Sequence, residues 1–335
     1  MKKKIVAVVY GIMIVALVIA FFQNRDGHVA RKITNSDGTY SGSLTLGTAS
    51  STGTFYYVGA AIGNAISKVV PININVQATS GSNENISMVL NQDIDLGMAN
   101  CDSIYSAYHG NMSYKNAGPQ EDLREVASLY QSQLHIFTTE SSGITDISQL
   151  KGKKVCVGSQ GTSYLFINEE ILNEYGITMD DIHPYYMNYA ESAEALANGD
   201  IDAAFQTGGY PIAGIQQSAA TTEFRMLSIS DEVVKKIIEE FPFIEEASIP
   251  AGTYEHQSNE SDAQTLGYAT TIFCSEKADP DLIYSFVKGM MESLDTYQNT
   301  NDATRQIRPE TIATEHIPIH EGALKYYKEI GIVQE

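Results

Sequence analysis

The sequence predicts two α/β lobes joined by a hinge of two chain segments, and three observations support this prediction. The 335 residues are enough for two domains of ordinary size. Apolar residues make up 43% of the chain and charged residues 19%, which is a globular composition. The order strand, Gly/Ser/Thr loop, helix, strand, helix, strand occurs twice, and this order is typical of parallel strands covered by helices.

The N-terminal segment differs from the rest of the chain. Lysines at positions 2–4 precede a run without charge from Ile5 to Phe22. This run has the length of a long signal-peptide core or of a short membrane-spanning helix, so we interpret residues 1–22 as a signal peptide or a membrane anchor. The lysines place the N-terminus inside the cell and the remaining chain outside. Residues 23–43 are polar and rich in small residues, as is typical of a tether.

Charge and cysteine content limit the classes of partner. The net charge of -20 argues against nucleic acid, because phosphate binding requires a basic surface. It also means that an anionic ligand has to be attracted locally, by oriented backbone amides. Cys101, Cys156 and Cys274 are far apart in the sequence, and the last two lie in apolar, strand-like runs. Packing as small apolar residues is therefore favoured over a disulfide or a metal site.

The first repeat unit begins with the strand at Leu44. This strand leads through the loop 47–54 into a helix that begins near Tyr56 and presents one apolar face. A second strand, a loop of Ser and Gly, a short helix and a third strand at residues 94–99 follow. The last helix of the unit ends at Gly110, a residue type that favours the position just after a helix.

The second unit repeats this order after residue 153. The strand 154–158 leads into the loop 159–163 and a helix, and the pattern Asn-x-Asp-Ile-Asp-apolar at 91–96 occurs again at 198–203. The paired aspartates precede a strand and lie away from its carboxyl end. We therefore interpret them as residues that cap and solvate a turn, not as catalytic carboxylates.

The chain passes twice between the two units. Strand-like runs at Leu134–Thr138 and Leu266–Cys274 are the candidate crossings. The prediction assigns residues 44–133 and 272–335 to lobe 1, and residues 134–271, with the crossings, to lobe 2. Two extended segments then form the hinge.

Three later helices begin at residues that favour the N-cap position. These N-caps are Ser192, Ser230 and Asp279. The last helix of the chain has an apolar face and ends at Gly331.

The loops that follow the parallel strands are the candidate binding region, because ligands of open α/β sheets bind beyond the carboxyl ends of the strands. These loops are 49–54, 80–85 and 100–102 in the first unit, and 159–163 and 206–209 in the second. Backbone N–H groups at helix N-termini, with the neighbouring hydroxyls, are suited to a carboxylate. Helix capping would explain one such loop, but matched loops in a repeat favour one ligand held between two lobes.

Motifs of other classes are absent from the sequence. Thr54 stands where a P-loop would need its lysine, no G-x-G-x-x-G opens either helix, and no G-x-S-x-G is present. His316 and His320 bracket Pro318, which disfavours the helical spacing that zinc would require; we expect a capping or packing role for His320. The sequence therefore predicts no enzyme, no cofactor and no metal site.

Five sequence blocks together resemble the TAXI family, the extracytoplasmic solute-binding proteins of tripartite TRAP transporters. The blocks are LTLGTASSTGTFYYVGAAI, VQATSGSNENISMVLNQDIDLGMANCDSIYSAYHG, LKGKKVCVGSQGTS, GDIDAAFQTGGYP and PIHEGALKYYKEIG. They extend from about Leu44 to Gly331 in the order of the family. The resemblance implies a type II periplasmic-binding-protein fold that closes on its ligand like a hinged trap. It also implies delivery of the ligand to the integral membrane subunits of a TRAP permease.

The resemblance further implies a carboxylate or amino-acid ligand such as glutamate, glutamine or 2-oxoglutarate. The ligand-binding positions that it implies are Ser50, Ser51, Thr52, Tyr56, Ser82, Asn83, Asn100, Asp102, Ser159, Gly161, Thr162, Ser163, Thr207 and Gly208. These loops contain no arginine, so a carboxylate would rest mainly on backbone amides and hydroxyls. A ligand-sensing module for a signalling partner is the alternative function, with the same ligand trap.

Overall fold

The structure is a computed structural model that describes residues 33–34, 40–160, 162, 164–241, 243–314 and 316–334. The predicted signal peptide or anchor at residues 1–22 lies outside the described residues. Within the described ranges, no helix is both long and apolar enough to cross a membrane.

The secondary structure follows the predicted repeat. The strands are β1 (Ile33–Thr34), β2 (Tyr40–Gly47), β3 (Ile72–Gln77), β4 (Leu96–Asn100), β5 (Leu123–Thr139), β6 (Lys154–Gly158), β7 (His183–Tyr186), β8 (Ala203–Gly208), β9 (Phe224–Met226), β10 (Ile244–Ile249) and β11 (Ala263–Ser275). The α-helices are α1 (Thr54–Val69), α2 (Ser82–Leu90), α3 (Cys101–His109), α4 (Tyr164–Glu174), α5 (Tyr189–Asn198), α6 (Ala213–Ala219), α7 (Asp231–Glu240), α8 (Pro280–Glu292), α9 (Leu294–Tyr297) and α10 (Glu321–Glu329).

The two repeat units build two equivalent sets of parallel strands. In the set that we call the first half, β2 is parallel to both β3 and β4, and β11 lies antiparallel beside β4. In the second half, β6 is parallel to both β7 and β8, and β5 lies antiparallel beside β8. The sheet order is β1-β2-β4-β11-β5-β8-β6-β7, so β11 and β5 lie between the two parallel sets.

Strands β5 and β11 are long and pass from one half into the other. The sequence predicted two strands where the structure has one, β5, because the polar residues 131–133 stay in register with residues 267–269 of β11. The backbone pairing with β11 continues through these polar residues, so their polarity does not end the strand. In strand β10 the side chains of Glu245 and Glu246 are exposed, and their backbone pairs with β11.

The buried apolar residues divide at the same two strands. Two clusters contain only residues up to Tyr130 or from Ile272 onward. The other two lie between Leu134 and Tyr268, with Cys101 as an added member. Cys101 packs against the second half, where its Sγ donates a hydrogen bond to the carbonyl oxygen of Phe243 at 3.2 Å. All three cysteines are buried and free.

The second aspartate of each repeated pair bonds to the backbone of a neighbouring strand, whereas the sequence predicted that the pairs cap and solvate a turn. A carboxylate oxygen of Asp95 accepts a hydrogen bond from the backbone N–H of Thr45 at 2.8 Å. In the second half, Asp202 accepts from the backbone N–H of Lys154 at the same distance. Each aspartate therefore joins the start of one parallel strand to its neighbour in the sheet, at the end of the strands away from the predicted binding loops.

A buried carboxyl attaches the C-terminal segment to β5. Glu125 is 1% exposed and accepts hydrogen bonds from the Thr314 hydroxyl at 2.9 Å, the Thr314 N–H at 3.3 Å and the His316 N–H at 3.2 Å. Burial nevertheless raises the pKa of the Glu125 carboxyl to about 7, because the low-dielectric interior disfavours the charged form.

Glu125 should therefore make stability fall as pH rises. Since its pKa is higher in the folded chain than in the unfolded chain, its contribution is complete below about pH 4.5 and is lost as pH rises through about 7. We expect the free energy of unfolding of the wild type, relative to Glu125→Gln, to fall by about 3 kcal/mol between pH 4.5 and 8. Urea unfolding across this range measures the difference. Glu121→Gln, at an exposed position, is the control, and an E125Q protein that keeps the wild-type pH slope would contradict the assignment.

Candidate functional site

The loops that follow the parallel strands of the two halves meet around one cavity of about 110 Å³. From the first half, the lining residues are Ala49, Ser50, Gly53, Thr54, Phe55, Thr79, Ser80, Gly81, Ser82 and Asn100. From the second half, they are Ser159, Thr162, Tyr164, Asn188, Tyr189 and Thr207. Both halves therefore contribute to one cavity beyond the carboxyl ends of their strands.

The two halves touch at the edge of this cavity. The Thr54 hydroxyl, at the start of α1, donates a hydrogen bond to the carbonyl oxygen of Gly209 in the second half at 2.7 Å. A Cβ placed on Gly53 would lie 3.7 Å from the ring of Tyr189, and one on Gly81 would lie 4.0 Å from the methyl group of Thr162. The two halves therefore contact each other beside the cavity.

One buried amide fixes the three loops of the first half. The side chain of Asn85, on α2, is fully buried. Its Nδ2 donates to the carbonyl oxygens of Thr48 at 2.6 Å and Met98 at 2.8 Å, and its Oδ1 accepts from the Thr79 hydroxyl at 2.8 Å. Thr48 and Thr79 follow β2 and β3, and Met98 lies within β4, so one side chain sets the relative positions of these three strands and of the loops after them.

A second buried amide supports the cavity from the other half. The side chain of Gln206, on β8, donates to the carbonyl oxygen of Tyr189 at 3.0 Å and to the Ser192 hydroxyl at 2.9 Å. The phenol of Tyr189 donates in turn to the carbonyl oxygen of Thr207. These bonds fix the ring of Tyr189 against the strand end.

The start of α5 differs from the sequence prediction. Ser192 was expected to be the N-cap, but Asn188 occupies that position and forms a capping box with Glu191. The Asn188 side chain accepts from the Glu191 N–H at 3.0 Å, and the Glu191 side chain accepts from the Asn188 N–H at 3.1 Å. Two reciprocal bonds satisfy more orphan N–H groups than one serine would, so the helix begins earlier and brings Tyr189 to the cavity.

Two buried hydroxyl groups belong to residues of the second half that line the cavity. Tyr164 and Thr207 line it, and each is only 4% exposed. Neither hydroxyl has a hydrogen-bond partner in the part of the chain that the structure describes. Burial raises the pKa of Tyr164 well above its usual value and that of Tyr189 to about 12, so both phenols stay protonated and can donate hydrogen bonds.

Helix N-termini of the first half are directed at the same space. The N-caps of α1, α2 and α3 are Gly53, Gly81 and Asn100, and none of them makes a side-chain cap bond within the described ranges. By contrast, the N-caps of α7 and α8, which lie elsewhere, do make such bonds. The first N–H groups of a helix have no partner in the helix and bear partial positive charge, so these three ends are suited to an anion.

The wall of the cavity is electrically neutral. Among the described residues that line it, none is Lys, Arg, His, Asp or Glu. Any attraction for an anion therefore comes from backbone amides and hydroxyls rather than from a cationic side chain.

The structure brings together part of the predicted set. The predicted residues that line the cavity are Ser50, Ser82, Asn100, Ser159, Thr162 and Thr207. Those outside the lining are Ser51, Thr52, Tyr56, Asn83, Asp102 and Gly208. Gly161 and Ser163 lie outside the described residues. Ser51 is exposed to solvent, and the Thr52 hydroxyl lies 3.1 Å from that of Ser50, so the loop directs only part of its polar groups inward.

Sequence reasoning missed three tyrosine and asparagine residues of the second half: Tyr164, Asn188 and Tyr189. The repeat contained the signal for two of them. Strand β7 follows α4 as β3 follows α1, so the residues after β7 are equivalent to the predicted loop after β3. They were overlooked because they are not rich in Gly and Ser.

Gly158 controls the position of Tyr164. Its φ is +121°, and an added Cβ would lie 2.5 Å from Cε2 of the Tyr164 ring. We expect Gly158→Ala to displace this ring, to weaken binding of the ligand by at least about tenfold and to lower the free energy of unfolding by about 1–3 kcal/mol. Calorimetric titration and urea unfolding measure the two effects.

Gly152→Ala is the matched control for this substitution. Gly152 also has a positive φ, +76°, but nothing lies within 4 Å of an added Cβ. Gly152→Ala should therefore lower the free energy of unfolding through backbone strain without weakening ligand binding. Equal binding by Gly158→Ala and the wild type would contradict the role assigned to Tyr164.

Comparison with known proteins identifies the fold. The profile of the NMT1-like family matches residues 46–331. A solved periplasmic transporter matches with a TM-score of 0.53 and 13% identity, over 86% of this chain and 92% of that chain. A protein from Bordetella bronchiseptica RB50 matches with a TM-score of 0.51 and 13% identity, over 87% and 81%. The predicted α/β periplasmic-binding-protein fold is thereby confirmed, and at these identities the structural likeness concerns the fold alone.

Proposed function

This chain belongs to the NMT1-like family, and from that premise we propose that it is an extracytoplasmic receptor that binds one small carboxylate between its two halves. The observation that supports this most strongly is the cavity itself. Helix N-termini without side-chain caps in one half lie at the same cavity as Tyr164 and Thr207 of the other half, whose buried hydroxyls have no hydrogen-bond partner among the described residues. Buried polar groups normally have hydrogen-bond partners, and a polar ligand would supply them.

An anion suits this site better than a cation. The net charge of -20 would repel an anion at long range, so the attraction has to be local. The N–H groups at the starts of α1 and α2 provide such attraction, as helix N-termini do in many anion sites. A small carboxylate can accept hydrogen bonds from several N–H and O–H donors at once.

Closure about β5 and β11 is the proposed binding motion. In this proposal, residues 44–133 with 272–335 form one lobe, residues 134–271 form the other, and the two long strands connect them. The hydrogen bond from Thr54 to Gly209 and the approach of Gly81 to Thr162 belong to the closed state. A ligand that contacts both lobes favours this state by its differential affinity.

The finer part of the proposal concerns export and delivery. Residues 1–22 export the chain, as a signal peptide or as an anchor, to the periplasm or to the outer face of the cytoplasmic membrane. The receptor then delivers its ligand to the integral membrane subunits of a TRAP permease. The five sequence blocks that resemble the TAXI family support this part.

Binding rather than catalysis is the proposed role, because the described residues of the cavity wall include no pair of a nucleophile and a base.

A thermal-shift screen tests the proposal. The full-length protein in mild detergent is heated with a panel of mono- and dicarboxylates, oxo acids and amino acids. A ligand that binds only the folded form at about 100 times its Kd stabilises it by about 2.7 kcal/mol, so at least one carboxylate should raise the melting temperature. If none does, the receptor proposal is contradicted. Uptake of the same compound by vesicles with TRAP permease subunits, dependent on this protein, tests delivery.

A further inference from the structure

We infer that the ligand is a short carboxylate with no second charge, an oxo or hydroxy acid of about the size of pyruvate or lactate. This inference rests on the proposed function and narrows its ligand class. It separates such acids from amino acids, which carry an ammonium group, and from dicarboxylates, which carry a second negative charge.

The first argument is the neutral wall of the cavity. In the described part of the chain, no charged side chain lines it. An ammonium group that enters a closed site loses its water, and this is unfavourable unless a carboxylate pairs with it. A second carboxylate would likewise need a cation or a further set of free amides.

The acidic residues near the cavity are engaged elsewhere. Glu84, in the first turn of α2, is exposed and accepts from the N–H and the hydroxyl of Ser80, both at 2.6 Å. Glu191 is exposed and accepts from the Asn188 N–H. Asp102 is buried but does not line the cavity, and it has interactions of its own within the fold. None of these carboxylates lies in the wall that a bound ammonium group would face.

The second argument is the division of hydrogen-bonding groups between the halves. The uncapped starts of α1 and α2 offer N–H groups to a carboxylate. The opposite wall offers the hydroxyls of Tyr164 and Thr207, which are buried and lack partners among the described residues. An oxo or hydroxyl oxygen on the ligand can accept from both hydroxyls, whereas a plain alkyl acid would leave them unsatisfied.

The third argument is size. The cavity volume is about 110 Å³. A protein cavity of about 150 Å³ holds one benzene molecule, so a ligand of about that size fits this cavity. Pyruvate and lactate are of this size, and glutamate and 2-oxoglutarate are larger.

Calorimetric titration of the full-length protein with a matched series tests the inference. The series is pyruvate, L-lactate, L-alanine, propionate and malonate. We expect pyruvate or L-lactate to bind most tightly. Propionate, which lacks the oxo or hydroxyl oxygen on C2, should bind about tenfold more weakly. L-Alanine, with its ammonium group, and malonate, with its second carboxylate, should bind at least about 100-fold more weakly.

Two variants strengthen the test. Tyr164→Phe should weaken pyruvate about tenfold and leave propionate unchanged, which a purely structural role of the phenol would not produce. Glu84→Gln should alter neither. Amino-acid binding that disappears in Glu84→Gln would show that an ammonium group pairs there, and would overturn the inference.

The outcomes separate this inference from the proposed function. Tighter binding of L-alanine, L-glutamate or malonate than of pyruvate and L-lactate overturns the ligand class and leaves the receptor function intact. Binding of 2-oxoglutarate but not of the short acids overturns the size argument alone. If no carboxylate binds, both the inference and the proposed function fail.

Discussion

The paired substitution Tyr164→Phe with Thr207→Val is expected to weaken ligand binding by about 100-fold or more while leaving the unliganded fold as stable as before. Both hydroxyls are buried, line the cavity and lack partners in the described chain. Each removal would leave a ligand atom unsatisfied at a cost of about 1–3 kcal/mol, and two such losses correspond to a factor of about 100 or more in Kd. Calorimetric titration with the ligand found by thermal shift gives the affinities.

The unliganded protein should respond differently to the same pair of changes. Because neither hydroxyl bonds within the described fold, the apolar replacements keep its shape and remove two unsatisfied groups. Urea unfolding should therefore give a free energy of unfolding equal to or above that of the wild type. Tyr186→Phe, at an exposed tyrosine outside the cavity, is the control and should change neither quantity. Wild-type affinity in the paired variant would show that the ligand does not contact these hydroxyls.

Replacing Asn85 by alanine is expected to lower the free energy of unfolding by about 3 kcal/mol. The substitution removes the amide donor to the carbonyl oxygens of Thr48 and Met98, of which Thr48 keeps the Thr79 hydroxyl as a donor, and it opens a small cavity at a fully buried position. Since Asn85 also bonds the Thr79 hydroxyl, the loops after β2, β3 and β4 lose their common support. Ligand binding should therefore weaken as well, although Asn85 does not line the cavity.

Asn64→Ala provides the matched control for this prediction. Asn64 lies on α1 and is exposed, so its replacement should change the free energy of unfolding by no more than about 0.5 kcal/mol. Urea unfolding of the two variants and the wild type makes the comparison. A loss below about 1 kcal/mol in Asn85→Ala would mean that backbone contacts alone hold the three loops together.

The sequence was sufficient for the parts of the fold that local chemistry determines. The Gly/Ser/Thr loops and the repeated Asn-x-Asp-Ile-Asp pattern predicted two equivalent α/β units, and Asp95 and Asp202 have the same bond in both. Ser230 and Asp279 cap their helices as predicted. His320, for which capping was expected, accepts from the Gly322 N–H at the start of α10. The three caps depend on residues close in the chain, and the aspartates were recognised because their pattern is repeated.

The remaining features depend on contacts between distant residues. The continuity of β5 follows from its pairing with β11, more than a hundred positions away in the sequence. The direction of the Tyr164 ring depends on the backbone of Gly158, and the position of Tyr189 depends on Gln206 in another strand. In the first loop, the N–H of Gly53 bonds the carbonyl oxygen of Ser50 at 2.8 Å. This turn decides which polar side chains face the cavity, and composition does not reveal it.

The most direct test of the account is a crystal structure of the protein with the carboxylate that raises its melting temperature most. We expect electron density for one ligand in the cavity between the halves. Its carboxylate should lie within hydrogen-bond distance of N–H groups at the start of α1 or α2, and its other oxygen near the hydroxyls of Tyr164 and Thr207. A ligand bound to one half only, or in the surface groove between His109 and Pro318, would contradict it.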